Sequence, residues 1–318
     1  MGRCRAVPIA LMLATLTDRR EFGDDWLLER KFDGERCVAR KDGDGVRLES
    51  RTASDLTGVY PEVRAAVAGQ RERALLLDGE VVAFDGEETS FSRLQQRLGV
   101  AAPSPQLVAA FPVVYCVFDL LELDGEDLRA RPLLERREQL SAAVRPGAAL
   151  QLSEAWQDDS LARFTRACRE GWEGLIAKRA EAPYVAGRSR DWLKLKCVAE
   201  QELVVGGYTE PSGSRSDFGA LLVGYNEGGG LRYAGKVGTG YTAATLRTLG
   251  ARLRALETRE SPFVDARPVP RGVHWVRPEL VAQIGFAEWT NDGRLRQARF
   301  LGMRDDKRPE EVVRERPA

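Results

Sequence analysis

Apolar and polar positions change rhythm several times along the chain. From Trp26 to Arg40 they alternate in a stretch rich in strand formers, the period of a half-buried strand. The run then meets Lys41-Asp42-Gly43-Asp44-Gly45, and Val46 to Ser50 resumes the alternation. Asp-Gly pairs suit a tight turn, so a hairpin is predicted here. Leu75 to Phe84 and Val113 to Leu120 are short apolar runs of strand length, fit for a buried sheet. Ser90 to Leu98, Leu133 to Ala143 and Ser160 to Glu170 repeat apolar residues every three to four positions, which predicts helices. Antiparallel hairpins interleaved with helices indicate an α+β domain.

The texture changes near Glu202. Glycine becomes frequent and short β runs recur at Leu203 to Tyr208, Ala220 to Tyr225, Leu231 to Val237 and Leu280 to Trp289, with one helical segment from Ala243 to Leu256. Asn226 to Gly230 has the composition of a flexible hairpin tip. Five or so strands with one inserted helix suit a small Greek-key barrel of the OB type. With the linker at Cys197 to Gln201, the expected domains are residues 1–198 and 199–318.

Composition narrows the function. The 318 residues are 43% apolar and 30% charged, as in ordinary globular proteins. No window approaches the roughly 18 apolar residues of a membrane span. The N-terminal apolar stretch from Ala6 to Leu16 is interrupted by Pro8 and ends in Thr-Asp-Arg-Arg without a cleavage site, so it reads as the first structured segment rather than a secretory signal. Cys4, Cys37, Cys116, Cys168 and Cys197 are scattered and never form Cys-x-x-Cys. That argues against a disulfide framework or zinc site and for a reducing cytosol. His274 is the single histidine, a surface or partly packed ring, so any metal here is expected on carboxylates. The 48 basic and 48 acidic residues cancel, and nucleic-acid contact must come from local patches. No Walker A loop occurs, and no Gly-x-Gly-x-x-Gly follows a convincing strand.

Charged groups stand at the ends of the strand-like runs. Lys31 lies in a Lys-x-Asp-Gly-x-Arg pattern that includes Asp33 and Arg36. Asp78-Gly79-Glu80 and Phe118-Asp119 follow on other runs, then Glu173-Gly-Leu-Ile-Ala-Lys178 and Trp192-Leu-Lys194-Leu-Lys196. The last alternates so that both lysines share a face. Each motif alone fits a surface charge on an amphipathic strand. Together they supply what nucleotidyl transfer needs. An amine nucleophile gains from nearby cations, Glu80 and Glu173 can hold Mg²⁺, Lys194 and Lys196 can neutralise charge on a transferred phosphate, and Phe118 can stack on a base.

These residues, in this order, resemble the covalent nucleotidyltransferase superfamily of DNA ligases and capping enzymes. The chain is most similar to the ATP-dependent ligase domain of bacterial end-joining ligases, the ligase D and ligase C type. The resemblance runs from about Leu11 to Val313 and includes Ser50-Arg51-Thr52 and Arg304-Asp-Asp-Lys307. Phe218-Gly-Ala-Leu-Leu-Val-Gly-Tyr225 and Tyr233-Ala-Gly-Lys-Val-Gly-Thr239 extend it through the second domain and differ from capping enzymes.

The resemblance implies an adenylation domain followed by an OB-fold domain, with ATP and Mg²⁺ or Mn²⁺ as cofactors. Lys31 would carry AMP, pass it to a 5′-phosphate at a nick in duplex DNA, and leave the 3′-hydroxyl to displace it. Asp33 belongs to the catalytic motif, and Lys194 and Lys196 would grip the α-phosphate. Glu29 would read the adenine amino group and Phe118 would stack on the ring. Arg36, Arg51 and Glu80 would serve the ribose and nearby phosphates, Lys178 would line the nucleotide site, and Arg188 would touch phosphate. Glu173 or Glu80 would hold the metal. Arg304, Asp306 and Lys307 would orient pyrophosphate.

Two departures from the pattern stand out: Glu35 where this branch often has an aromatic, and Gln297-Ala298 where it more often has His-Pro. The first is expected to leave catalysis alone and the second to weaken DNA or pyrophosphate contacts. The chain begins about thirty residues before Lys31, which leaves no room for a helical DNA-binding domain, so weak stand-alone affinity and help from a Ku-type end-binding protein are expected. A cytoplasmic monomer that seals DNA breaks is the leading reading. RNA ligation or capping, and an inert DNA-end-binding module, are the alternatives.

Overall fold

The structure, a computed structural model, describes residues 9–197, 200–211, 217–266, 272–290 and 292–315. It falls into two compact units that divide after Cys197. Residues 198 and 199 of the expected linker lie outside the described residues, as do Cys4 and the start of the N-terminal apolar stretch. Among the described residues no helix is long and apolar enough to cross a membrane.

The first unit opens with β1 (Met12–Leu16), β2 (Trp26–Lys31), β3 (Glu35–Asp42) and β4 (Gly45–Ser50). Helix α1 (Pro61–Ala68), β5 (Ala74–Val82), the ribbon β6 (Phe84–Asp85) and β7 (Glu88–Thr89), α2 (Phe91–Leu94) and α3 (Pro105–Ala110) follow. Then come β8 (Val114–Leu123), β9 (Glu126–Asp127), α4 (Leu133–Ala143), β10 (Leu150–Leu152), β11 (Ala155–Trp156), α5 (Ser160–Arg169), β12 (Gly174–Arg179) and β13 (Gly187–Lys196).

Two sheets result, ordered β1-β13-β12-β2-β11 and β10-β8-β5-β3-β4. The alternating run from Trp26 to Arg40 is therefore two strands, not one. It breaks at Phe32-Asp33-Gly34, and the chain passes there from the first sheet to the second. Gly34 makes the crossing possible, because a Cβ at that position would collide with the carbonyl oxygen of Val81. The Asp-Gly hairpin forms as expected, with Asp42 paired to Gly45 and Gly43 at φ +55°. The helix expected from Ser90 to Leu98 is a single turn, Phe91–Leu94, that passes into further turns.

Three apolar clusters hold this unit together. One face of the second sheet buries Cys37, Ala39, Leu77, Val81 and Val117 with Tyr60 and Val63 near and on α1 and Leu140 on α4. The outer face of the first sheet buries Trp26, Leu28, Leu175, Ala177 and Leu195 with Ala167 of α5. Helix α5 is started by Asp159, whose carboxylate accepts from the backbone N–H groups of Leu161 and Ala162 at 3.0 Å each. The third cluster joins the facing sides of the two sheets through Met12, Val38, Leu76, Phe118, Leu121, Tyr184 and Trp192.

Cys168, at the end of α5, is bonded to Cys197, just after β13, with their Cα atoms 5.1 Å apart. This corrects the expectation of unpaired cysteines. The two are 29 positions apart in the chain, and only the folding of α5 against the end of β13 brings them together. Cys37 and Cys116 are buried free thiols; burial pushes Cys116 up to about 12 and Cys37 well above its ordinary value, which makes both poor nucleophiles.

The second unit runs β14 (Glu200–Thr209), β15 (Leu221–Glu227), β16 (Gly230–Val237), α6 (Ala243–Ala255), β17 (Glu257–Thr258), β18 (Val273–Gly285), β19 (Glu288–Trp289), β20 (Leu295–Arg296) and β21 (Arg299–Met303). Its main sheet has the order β16-β15-β14-β18-β17, with β21 also on β18. Among the described residues this sheet is open, so the expected barrel is not a closed ring. Glycines 228 and 229, both at positive φ, turn the hairpin tip between β15 and β16. Leu246, Leu249 and Leu253 of α6 face the core, and Thr242 caps the helix by accepting from the Thr245 N–H. His274 is partly packed: it stacks on Tyr208 at 4.9 Å, with Glu210 and Glu257 within 3.7 Å of its two nitrogens.

The buried pair Asp119–Arg136 tests the packing of the first unit. Both side chains are fully buried, joined by two bonds of 2.7 and 2.8 Å. Burial pushes the Asp119 carboxyl up and Arg136 opposes this. In Arg136→Met the carboxylate loses its guanidinium partner and keeps the Leu120 N–H at 3.0 Å, and urea unfolding should show a loss of about 3–5 kcal/mol at neutral pH. A buried carboxyl without its cation binds its proton more tightly folded than unfolded, so the deficit should grow as pH rises and shrink toward acid.

Candidate active site

The pleat of the first sheet puts the candidate chemistry on one face. Glu29 pairs with Ile176, which pairs with Lys194; Lys31 pairs with Gly174, which pairs with Lys196. Residues directly opposed across a ladder share a face, so Glu29, Lys31, Lys178, Trp192, Lys194 and Lys196 stand on the side that meets the second sheet. The apolar alternates point the other way, under α5.

The ammonium of Lys31, at the end of β2, pairs with the carboxylate of Glu173, which directly precedes β12. Gly174 allows the approach. It has φ +152°, and a Cβ there would collide with the Leu195 carbonyl oxygen. The Cys197 N–H donates to the Glu173 carbonyl at 3.0 Å, which extends the β12–β13 ladder by one bond and fixes the root of the Glu173 side chain.

Glu29 is 2% exposed. Its Oε1 lies 2.8 Å from Lys178 Nζ and accepts from Arg137 Nη1 at 2.9 Å, while Oε2 accepts from Ser153 Oγ at 3.0 Å. Burial lowers the Lys178 ammonium from its ordinary value, and Glu29 opposes that shift. Lys178 also sits 4.3 Å from the ring centres of both Phe118 and Trp192.

Phe118 owes its direction to an irregularity. Gly79 pairs with Val117 and Asp78 with Asp119, so Phe118 is the extra residue of a β-bulge. Bulges re-aim side chains, and this one turns the ring into the space between the sheets. The ring meets Trp192 edge-on, and the Arg36 guanidinium lies 4.6 Å from its centre. Arg36 makes two bonds of 2.6 Å to buried Asp78, and Tyr184 donates to the same carboxylate at 2.7 Å. Half-buried Glu80 is the cross-strand neighbour of Arg36.

Other expected residues lie on turns and strand ends of the first unit or in the second unit. Asp33 is half-buried in the turn between the sheets, and Arg51 in the turn after β4. Arg188 is exposed at the start of β13 and donates to the Ala14 carbonyl at 2.8 Å. Arg304 and Lys307 belong to the second unit. There Arg304 binds Asp306 through two bonds of 2.9 Å, and Lys307 lies 3.5 Å from Glu202. Arg304 also holds the Asp306 carboxyl below its ordinary value against the effect of burial. Glu35 is buried on the far face of the second sheet, where it accepts from Tyr60 at 2.6 Å.

Sequence reading missed Arg137, Ser153 and Tyr184. Arg137 sits in a helix whose pattern reads as an ordinary amphipathic surface, and its partner lies 108 positions away. No spacing rule connects the two.

A family model described as "ATP dependent DNA ligase domain" matches residues 11–196, and another described as "ATP dependent DNA ligase C terminal region" matches residues 214–307. The chain belongs to the ATP-dependent DNA ligases. The multifunctional non-homologous end joining protein LigD of Pseudomonas aeruginosa is 40% identical over 318 residues, 98% of this chain and 37% of that protein. The LigD repair protein of Mycobacterium tuberculosis is 39% identical over 295 residues, 91% of this chain and 37% of its own length. The chain thus spans under two fifths of these relatives. A solved mycobacterial DNA ligase D complexed with ATP is 37% identical and aligns with a TM-score of 0.67 over 96% of this chain and 98% of that one. The ligase domain of Mycobacterium tuberculosis LigD aligns at 0.52 with 39% identity and the same coverage. The family architecture, a nucleotidyltransferase domain followed by an OB-fold domain, is the one present here.

Replacing Gly174 by Ala should push β12 away from β13 and displace Glu173 from Lys31. Protein adenylation measured with labelled ATP should fall by about 100-fold, the usual cost of moving a reacting group by about an ångström.

Proposed function

We propose that this chain seals nicks in duplex DNA, joining a 5′-phosphate to a 3′-hydroxyl with Lys31 as the nucleophile. The observation that supports this most is the row of Lys31, Lys194 and Lys196 on one face with Glu173 paired to Lys31. A half-buried row of amines with a carboxylate among them suits a triphosphate and no neutral substrate.

In the first step Lys31 leaves Glu173 and gives a proton to water, and its Nζ attacks the α-phosphorus of ATP. The N–P bond forms as the bond to the bridging oxygen breaks, and pyrophosphate leaves. Lys194 and Lys196 neutralise charge on the α-phosphate oxygens. A 5′-phosphate oxygen of DNA then attacks the same phosphorus, breaking the N–P bond to give DNA-adenylate. Finally the 3′-hydroxyl loses its proton to water and attacks the DNA phosphorus; the new O–P bond forms as the bond to the oxygen shared with AMP breaks, and AMP leaves.

Glu29 reads the adenine edge and Phe118 its face. Arg36, Arg51, Glu80 and Arg188 serve ribose and phosphate, Asp33 supports the nucleophile's turn, and Arg304 and Lys307 handle pyrophosphate. Among the described residues no three His, Cys, Asp or Glu side chains form a metal cluster. Mg²⁺ takes one or two carboxylates and completes its shell with water and substrate phosphates, so Glu173, with Glu80 as the second candidate, fits it as donor. Bound there, Mg²⁺ would place positive charge on the phosphate oxygens.

Incubation with α-labelled ATP and Mg²⁺ tests the assignment. Label that survives denaturation should appear on the wild-type chain and be lost in Lys31→Ala; label that persists in the variant would sink the assignment.

End joining of DNA breaks, with a Ku-type protein presenting the ends, is the role this reading favours, and a chromosomal substrate places the work in the cytoplasm. That placement rests on the substrate and not on cysteine usage. A chain with no net charge has only local patches for DNA. Nick sealing by the chain alone should therefore fall by about tenfold or more between roughly 50 and 200 mM salt. Equal sealing at both would overturn the weak grip.

A further inference from the structure

We propose that Arg137 and Ser153 are positioning residues that make Glu29 selective for a purine with a 6-amino group. The inference rests on the reading of Glu29 as the adenine contact and deepens it.

A carboxylate offers about four lone-pair sites. Among the described residues Arg137 donates to Oε1 and Ser153 Oγ to Oε2, and the Lys178 ammonium lies 2.8 Å from Oε1. The lone hydrogen bond to Oε2 leaves that oxygen a second acceptor site. Glu29 faces two cations and a hydroxyl donor and is 2% exposed, and a carboxylate so placed offers a ligand only acceptor oxygens. An exocyclic amine satisfies that site. A 6-oxo group brings an acceptor against the carboxylate oxygen, and a site built for a donor rejects its absence strongly.

Arg137 does more than neutralise Glu29. It also donates to the Ser153 carbonyl at 2.6 Å and to the Phe118 carbonyl at 3.4 Å. One planar guanidinium thus ties together β2, the bulge of β8 and the segment after β10. Arg136, its neighbour on α4, is bonded to Asp119, the residue after Phe118. Helix α4 therefore braces both the proposed edge contact and the proposed face contact of the base. Lysine could not replace Arg137, because a single ammonium cannot span three acceptors in this planar arrangement.

The test compares ATP, GTP and purine riboside triphosphate, which carries hydrogen in place of the 6-amino group, in labelled or mass-detected adenylation of the full chain. The wild type should favour ATP over the 6-hydrogen analogue by about tenfold or more in KM. In Arg137→Met that preference should collapse toward unity and GTP should gain, with KM for ATP changing more than kcat. Ser153→Ala, which keeps every charge, should move the same ratio in the same direction by less and covers the case in which Arg137→Met fails to fold.

A purely structural role would lower the rates with all three nucleotides together and leave the ratio intact in both variants, which would overturn the proposal. Glu29→Gln separates the two levels. If it erases the preference while Arg137→Met and Ser153→Ala do not, the positioning role alone is wrong. If Glu29→Gln keeps the preference, the base is read elsewhere and the inference falls with the reading beneath it.

Discussion

Cations crowded into a half-dry cleft repel one another and resist desolvation, and the first unit answers with a carboxylate for each cluster. Lys31 has Glu173, Lys178 and Arg137 share Glu29, Arg36 has Asp78, and Arg136 has Asp119. Charges buried this way are tolerated only when paired and hydrogen-bonded. The pairing in turn demands that β2, β12 and β13 keep one register, because their pleat decides which side chains meet. Helix α5 supplies the apolar cover on the opposite face, and the second sheet closes over the charged one. A triphosphate bound there, as proposed, would have to compete with carboxylates already in place.

Much of this was legible in the chain. Leu133 to Ala143 is a helix with those same bounds, the Asp-Gly hairpin turns where its glycines require it, and the lysines of β13 share a face as their alternation demands. Lys31 and Glu173 could be set beside each other by motif, although 142 positions separate them. Local pattern failed where a tertiary event intervened. Asp33-Gly34 marks a bend, but nothing in the local pattern says that the strands on either side of it join different sheets. The bulge at Phe118 is invisible because an inserted residue leaves an apolar run apolar. Arg137 looks like any arginine on an amphipathic helix until the helix is docked.

Family membership and geometry answer different questions. The family models cover most of the chain and fix the class of enzyme, while the relatives extend well beyond it. The geometry bears on how each side chain is held. Glu35 shows the difference: it occupies a position inside the Lys-x-Asp-Gly-x-Arg motif, yet the pleat turns it to the far face to meet Tyr60.

The Cys168–Cys197 bond acts on that pleat in a further way. β12 and β13 are a hairpin, joined at one end by the connection from Ala180 to Ala186, and the disulfide fastens the other end to α5. A strand slipped by a single residue turns every side chain over. For β13 that would send Lys194 and Lys196 into the apolar layer and bring Leu193 and Leu195 up to face the second sheet. With both ends of the hairpin secured, β13 has no free end along which to slide. The sulfur bridge thus serves as a register pin, holding an alternation in the sequence to its one productive phase.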